Sequence, residues 1–186
     1  MKLFFKHPSK THCERKVKAA LKKVGLDCSN VLFGEADIRG DISLAQRNKL
    51  GKALKKSGIE LLRDKKSFLI EKVKNSIAEL ARDPKMQAGR NFSGFLSKKL
   101  KHNYTYLANI FSASEGTTIE QYYISLKIGR VKELLLDDDQ NISAIAERMG
   151  YSSTAHLSNQ FRKSAGLSPT SFRKINAARP SSLHRI

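Results

Sequence analysis

A run of small and hydrogen-bonding side chains near the carboxyl end of the chain has the chemistry needed to contact the base edges of DNA. Its members are Thr154, Ala155, Ser158, Asn159 and Arg162. Asparagine can make a bidentate contact to adenine and arginine one to guanine, while the methyl groups of alanine and threonine can contact the thymine methyl. The alternative is an ordinary helical hairpin with a polar outer face, which the same short pattern would also describe.

Two short predicted helices would position these side chains. The first has apolar residues at the spacing of one buried helical face: Ile142, Ile145, Ala146 and Met149. Gly150 follows it, and glycine adopts the left-handed conformation that ends a helix at little cost. The second helix would turn Leu157 and Phe161, four residues apart, towards the core. Two short helices joined by a glycine-containing turn predict a helix-turn-helix unit, whose second helix can enter the major groove.

The segment from roughly residue 91 to 174 resembles the DNA-binding domain of AraC/XylS-type bacterial transcription regulators. The matching stretches are NISAIAERMGYSS, HLSNQFRKSAGLSPTSFRK and, upstream, NYTYLANIFSASEGTTIEQYYISLKIGRVKELL. The resemblance implies a sequence-specific transcription regulator that reads two adjacent major-groove segments of double-stranded DNA. RNA polymerase, and an unknown effector or protein bound by the amino-terminal part, are further candidate partners.

The resemblance also places the residues that would contact DNA. Base contacts are expected from Thr105, Ala108 and Asn109 in a first unit, and from Thr154, Ala155, Ser158 and Asn159 in a second. Phosphate contacts, which position a protein without reading sequence, have these candidates: Lys98, Arg130, Lys132, Arg162, Lys163 and Arg173. For each of these cations, a solvated surface charge is the alternative.

A weak internal repeat supports two such units. Leu107 and Phe111 correspond to Leu157 and Phe161, and Lys101 occupies a turn where glycine is common. Between the units, Thr118 and Gln121 form a capping box for a spacer helix running to about residue 136. Its predicted buried face is Ile119, Tyr123, Leu126, Val131, Leu134 and Leu135. Such a helix would hold the two recognition helices about 34 Å apart, one duplex turn.

The amino-terminal third has the predicted order β-α-β-β-α-β, the ferredoxin-like arrangement. With Cys13 at the start of its first helix, it distantly resembles heavy-metal-associated domains, which bind soft metals through Cys-x-x-Cys. Lys10 and Lys16 stand where a second cysteine would be, so we predict no metal site and no cofactor. Soft-metal binding through Cys13 and His12 is the alternative function.

The predicted fold class is therefore α+β, with a ferredoxin-like domain at 1–64, a connecting helix and linker at 65–90, an all-α double helix-turn-helix domain at 91–175, and a basic tail at 176–186. No enzymatic constellation of residues, signal peptide or membrane span is recognised, so we expect a non-enzymatic, cytoplasmic protein that does not bind membranes. The net charge of +18 indicates a polyanionic partner. Residues 1–64 hold 15 Lys or Arg against 7 Asp or Glu. This charge either lies near DNA or is a solvated surface, and the sequence favours the second.

Overall fold

The computed structural model describes residues 1–6, 13–32, 34–82, 91–136 and 140–177. The chain divides into two compact units, residues 1–72 and 73–186. Predicted features at His12, in the 83–90 linker and in most of the 176–186 tail lie outside the described residues. Within the described part, no helix has both the length and the apolar composition needed to span a bilayer.

The first unit contains a four-stranded antiparallel sheet. Its elements are β1 Lys2–Lys6, α1 Cys13–Lys23, β2 Cys28–Leu32, β3 Glu35–Ile38, α2 Leu44–Lys55 and β4 Glu60–Leu62. The strands lie in the order β2-β3-β1-β4, and every neighbouring pair is antiparallel. Helix α2 begins at a capping box formed by Ser43 and Gln46. The predicted combination of a small sheet and helices is confirmed, and β2 and β3 are separate strands on either side of Gly34.

The two faces of the sheet differ in composition because successive side chains of a strand point to opposite faces. One face packs against α1 and α2 and forms an apolar core that includes Leu3, Phe5, Val17, Leu21, Ala36, Ile38, Leu50 and Leu54. On the other face Phe4 and Leu62 pack against Phe68, with the Phe4 and Phe68 ring centroids 5.1 Å apart. Lys2, Glu35 and Asp37 lie beside that small cluster and are exposed or half-buried.

Helix α3, Lys65–Arg82, begins in the first unit and ends in the second. The Asp64 carboxylate accepts a hydrogen bond from the Ser67 main-chain amide at 2.8 Å, which satisfies one free N–H of the first turn and lowers the pKa of Asp64. One apolar stripe of α3 is buried, and its residues are Leu69, Ile70, Val73, Ile77 and Leu80. Lys74 forms an ion pair with Glu115 at 2.7 Å, within the second unit.

The described part of the second unit continues with six helices. They are α4 Phe92–Leu100, α5 Tyr104–Glu115, α6 Ile119–Leu135, α7 Ile142–Arg148, α8 Thr154–Ala165 and α9 Pro169–Ala177. Asn141 is the N-cap of α7, and the predicted capping box of Thr118 with Gln121 is confirmed. Helix α6 packs against α5, α7, α8 and α9, so it is the central helix of this unit.

The buried face of α6 differs from the prediction at four positions. Ile119, Val131, Leu134 and Leu135 are buried as predicted, but Tyr123 and Leu126 are only half-buried. Ile128 and Lys127 are buried instead. A lysine can occupy such a position when its aliphatic stem packs in the core, and the Lys127 Nζ lies over the Tyr151 ring, 4.0 Å from its centroid.

The first turn, between α4 and α5, contains a non-glycine residue in the left-handed region. Lys101 has φ 56° and is alone in this among the non-glycine residues that the structure describes. The corresponding turn between α7 and α8 uses Gly150, with φ 65°. An L-residue with a Cβ is less stable than glycine in this conformation by about 1–2 kcal/mol, so the first turn contains local backbone strain.

Replacing Lys101 with glycine should therefore stabilise the second unit. We expect a gain of about 0.5–1 kcal/mol, because relief of the strain is partly offset by the greater freedom of glycine in the unfolded chain. Urea unfolding of the full chain, followed by helical circular dichroism, measures the change. Lys101→Ala removes the same charge and keeps the Cβ, so it should give no gain; equal stabilisation by both variants would contradict the role assigned to φ.

Candidate nucleic-acid interface

Helix α8 has a buried side and a polar side. Ser153 begins it by accepting a hydrogen bond from the His156 main-chain amide at 3.0 Å. Leu157 and Phe161 are fully buried and belong to a core that also contains Ile128, Val131 and Leu135 of α6. This packing leaves the predicted base-contacting residues outward: Thr154, Ala155 and Asn159 are exposed, and Ser158 is half-buried. The structure thus brings all four predicted residues of the second unit onto one accessible face.

A small aromatic network supports the start of α8. The Tyr151 hydroxyl donates to Gln160 Oε1 at 2.7 Å, and its ring meets the His156 ring edge-on with centroids 5.3 Å apart. His156 Nδ1 also lies 3.0 Å from Ser152 Oγ. His156 is exposed beside Ala155, and sequence reasoning did not select it. The internal repeat could have indicated an exposed aromatic side chain here, because His156 corresponds to Tyr106, which is likewise exposed on α5.

Lys127 extends this network into the core. Burial lowers the pKa of Lys127 to about 8, and burial raises the pKa of Tyr151 to about 12, with a smaller contribution from Tyr123. The Lys127 Nζ also lies 5.7 Å from the Tyr123 ring centroid. Aromatic faces attract a cation and offset part of its desolvation. The two aromatic rings therefore offset part of the cost of burying the Lys127 ammonium. Lys127 also lies against Tyr151, which in turn contacts Gln160 and His156 of α8.

Helix α5 presents a second face with the same design. Asn103 begins it by accepting a hydrogen bond from the Thr105 amide at 2.8 Å. Leu107 and Phe111 are fully buried, while Thr105 and Asn109 are exposed and Ala108 is half-buried. The three predicted base-contacting residues of the first unit therefore also share an accessible face.

Tyr104 links the start of α5 to α6. Its hydroxyl donates a hydrogen bond to the Glu120 carboxylate, and this bond is the main cause of the lowered pKa of Glu120. Burial, followed by the same carboxylate, raises the pKa of Tyr104. At the other side of α5, the Phe111 and Tyr122 ring centroids are 5.5 Å apart. The first recognition helix is thus fixed to α6 at both its beginning and its middle.

The six predicted phosphate-contacting cations fall into two groups. Lys98, Arg162 and Lys163 are exposed and have no ion pair with any residue in the described ranges. The other three have partners within the second unit: Arg130 pairs with Glu133, Lys132 lies over the Phe172 ring, and Arg173 donates to the main-chain carbonyls of Leu135 and Gln140. Arg173 thereby satisfies a carbonyl at the end of α6, which favours a structural part for this residue.

The two recognition helices differ in charge. Helix α8 carries Arg162 and Lys163, whereas α5 has no lysine or arginine and ends at Glu115. Because phosphate contacts supply much of the affinity for DNA, the second helix is electrostatically better suited to bind a duplex.

The predicted alternative of soft-metal binding is not supported. Cys13 is buried, and burial, followed by the charge of Glu14, raises the pKa of its thiol. A raised pKa disfavours the thiolate, which is the form that binds metals. Across the residues that the structure describes, no three His, Cys, Asp or Glu side chains cluster in a way that could hold a metal ion.

Comparison with known proteins identifies the second unit. A family profile described as "Helix-turn-helix domain" matches residues 96–175. The melibiose operon regulatory protein of Escherichia coli is 32% identical over 84 residues, a match that covers 45% of this chain and 28% of that regulator. The chain therefore spans just over a quarter of the length of this relative. These findings confirm the predicted helix-turn-helix domain in the carboxy-terminal part.

Two solved structures have a similar fold. The carboxy-terminal domain of AraT, a response regulator from Geobacillus stearothermophilus, aligns with a TM-score of 0.54 at 20% identity and covers 66% of this chain and 97% of its own. The DNA-binding domain of AdpA, a global transcriptional factor solved in complex with a target DNA, aligns with a TM-score of 0.52 at 21% identity and covers 61% of this chain and 97% of its own.

The buried ammonium makes a specific pH dependence testable. The folded chain releases the Lys127 proton near pH 8, whereas the unfolded chain keeps it to about pH 10.5, so the stability contributed by this residue rises with pH between these values. Lys127→Met should therefore stabilise the protein by about 1–2 kcal/mol at pH 7, where burial of the charge is unfavourable. The gain should shrink as pH rises to about 9.5, before the tyrosines titrate.

Urea unfolding midpoints across this pH range measure the difference between the variant and the unaltered protein. Lys132→Met removes a cation from a more accessible position of the same helix and serves as the control. A difference between Lys127→Met and the unaltered protein that stays constant with pH would contradict the assignment.

Proposed function

We propose that this protein is a sequence-specific, DNA-binding transcription regulator that reads two adjacent major-groove segments with α5 and α8. The observation that carries the proposal is the paired arrangement within one helix-turn-helix domain. Each recognition helix buries a Leu and a Phe four residues apart and exposes an asparagine two positions after that Leu, Asn109 in α5 and Asn159 in α8. A fold similar to that of the AdpA domain, which was solved on its target DNA, supports the same partner.

In the proposed complex the two faces supply different contributions. Thr105, Ala108 and Asn109 contact one segment, and Thr154, Ala155, Ser158 and Asn159 contact the other. Small side chains let the helix backbone approach the bases, and asparagine then supplies the directional hydrogen bonds. Lys98, Arg162 and Lys163 contact phosphates, because they are exposed and unpaired among the described residues. The strain at Lys101 and the absence of cations on α5 favour weaker binding by the first helix.

We also propose a ferredoxin-like fold for the amino-terminal part of the chain. The element order and the sheet order β2-β3-β1-β4 support a ferredoxin-like amino-terminal domain. Four further points stay predictions. They are domain boundaries at residues 64, 90 and 175, a cytoplasmic location, a non-enzymatic role, and contacts to RNA polymerase or an effector.

Selection of bound duplexes from a random pool tests the proposal directly. The full chain should enrich a motif whose two conserved blocks are centred about 10 base pairs apart, the spacing of successive major grooves on one face of the duplex. The block read by α8 should be the more strongly conserved. Enrichment of no motif, with equal affinity for all duplexes, would overturn the proposal.

Asn159→Ala and Asn109→Ala form a matched pair that tests the base contacts. Each should weaken binding to the selected duplex by about 1–3 kcal/mol and relax specificity at one or two base pairs in its own block only. Competition assays with single-base variants of the duplex measure this. If both variants lost the same affinity for the selected and for random duplexes, neither asparagine would be reading bases.

Lys163→Ala tests the separation of phosphate contacts from base contacts. It should weaken binding to the selected and random duplexes alike, and it should reduce the slope of log affinity against log salt by about 1. Lys174→Ala, which removes another exposed cation from this domain, controls for net charge. A change in base preference without a change in slope would contradict the assignment.

A further inference from the structure

The charges of the first unit are segregated between the two sides of its sheet. All the ion pairs found there among described residues, apart from Arg63 with Asp64, lie on the side of the sheet opposite α1 and α2. Lys2 lies 3.2 Å from Glu35 and 3.9 Å from Asp37. Lys6 lies 3.1 Å from Glu71, and Lys72 lies 3.5 Å from Glu35. Cations and carboxylates therefore neutralise one another on this side.

Helices α1 and α2 themselves carry almost no negative charge. The two helices carry nine Lys or Arg and one acid, Glu14. Eight of the nine cations are exposed, and they are Arg15, Lys16, Lys18, Lys22, Lys23, Lys49, Lys52 and Lys55. No ion pair joins any of them to another residue in the described ranges. We call this set the helical-layer cations.

The ninth cation has a structural contact. The Arg47 guanidinium donates to the main-chain carbonyls of Leu62 and Arg63 at 2.8 and 2.9 Å, which fixes α2 against the end of β4. The core orients α2 in the same way, because Leu50 and Leu54 are fully buried against the sheet. The outer side of α2 is consequently the side that carries Lys49, Lys52 and Lys55.

The spacing of these three lysines suits an extended row of negative charges. Residues three apart are neighbours on a helix surface, so Lys49, Lys52 and Lys55 form a row spanning roughly 9 Å along the axis. Along one strand, duplex DNA carries one negative charge per roughly 3.4 Å of its axis. The row can therefore contact successive phosphates of one strand.

The composition of this surface favours a phosphate backbone over a protein or a membrane. Protein interfaces are enriched in aromatic residues and depleted in lysine, and α1 and α2 contain no aromatic residue. Membrane-surface helices need an exposed apolar face, and across the described parts of these helices Leu44 is the one large apolar side chain exposed. Lysine side chains that contact only phosphates attract DNA by their charge and do not recognise its base sequence.

We propose that the helical-layer cations form a second DNA-contacting surface, which binds the phosphate backbone without base recognition. This inference rests on the proposed function, because binding by the helix-turn-helix domain would hold this surface near the duplex. Tethering raises the effective concentration of a weak site to roughly millimolar values. The surface therefore adds affinity and salt dependence to a complex whose sequence preference comes from α5 and α8.

Two triple variants of the full chain test this surface at equal net charge. The first, K49Q/K52Q/K55Q, removes the α2 row, and the second, K2Q/K6Q/K72Q, removes three paired lysines from the opposite side of the sheet. Affinity is measured against salt on a duplex of about 60 base pairs that contains the selected motif and leaves room for backbone contacts.

The α2 variant should bind on the order of tenfold more weakly, and its slope of log affinity against log salt should fall by up to about 3. Its base preference should not change, and the second variant should bind nearly as the unaltered protein does. The single variants K49Q, K52Q and K55Q should each lower the slope by roughly 1, which provides the same test should the triple variant fold poorly.

The outcomes separate this surface from the proposed function. If the unaltered protein shows no preference for the selected motif, the proposed function fails. If it keeps that preference while both triple variants bind equally, the second surface does not exist and the helical-layer cations are a solvated face.

Discussion

The packing of α6 against the helices around it is the interaction on which the second unit depends. Val131 and Leu135 are fully buried against Leu157 and Phe161 of α8, and Tyr122 of α6 meets Phe111 of α5. Burial of large apolar side chains contributes about 1.5–3 kcal/mol each. Both recognition helices thus obtain their stability from the same central helix, and their orientation follows from the way their Leu and Phe side chains enter its two sides.

That packing leaves two kinds of side chain exposed, those that suit base contacts and those that suit phosphate contacts. The exposed faces of α5 and α8 are rich in small and amide side chains, which suit close approach to bases, and the unpaired cations Arg162 and Lys163 follow them on α8. The aromatic network of Tyr151 and His156 fixes the beginning of α8. In the first unit the same separation of charge appears at a larger scale, since carboxylates and their lysine partners share one side of the sheet and unpaired cations the other.

Local signals made much of this structure predictable. The capping residues Ser43, Thr118 and Asn141 bond to amides only three residues away, so sequence alone specifies them. Lys127 shows the limit: its burial depends on Tyr151, twenty-four residues away, and a pattern of apolar spacing treats lysine as solvent-exposed. Arg173 is similar, because its carbonyl acceptors lie over thirty residues upstream. The residues predicted to contact bases lie at accessible positions of α5 and α8, whereas His156 was not predicted because histidine has no apolar spacing signal.

The central claim is that α6 fixes the two recognition helices at a single separation along the duplex. The most direct measurement is the affinity for duplexes in which about 5 or about 10 base pairs, half a turn or one turn, are inserted between the two recognised blocks. A rigid α6 predicts that both insertions reduce affinity to that of a duplex with only the block read by α8. Full affinity after insertion of a whole turn, or no loss after insertion of half a turn, would contradict the account.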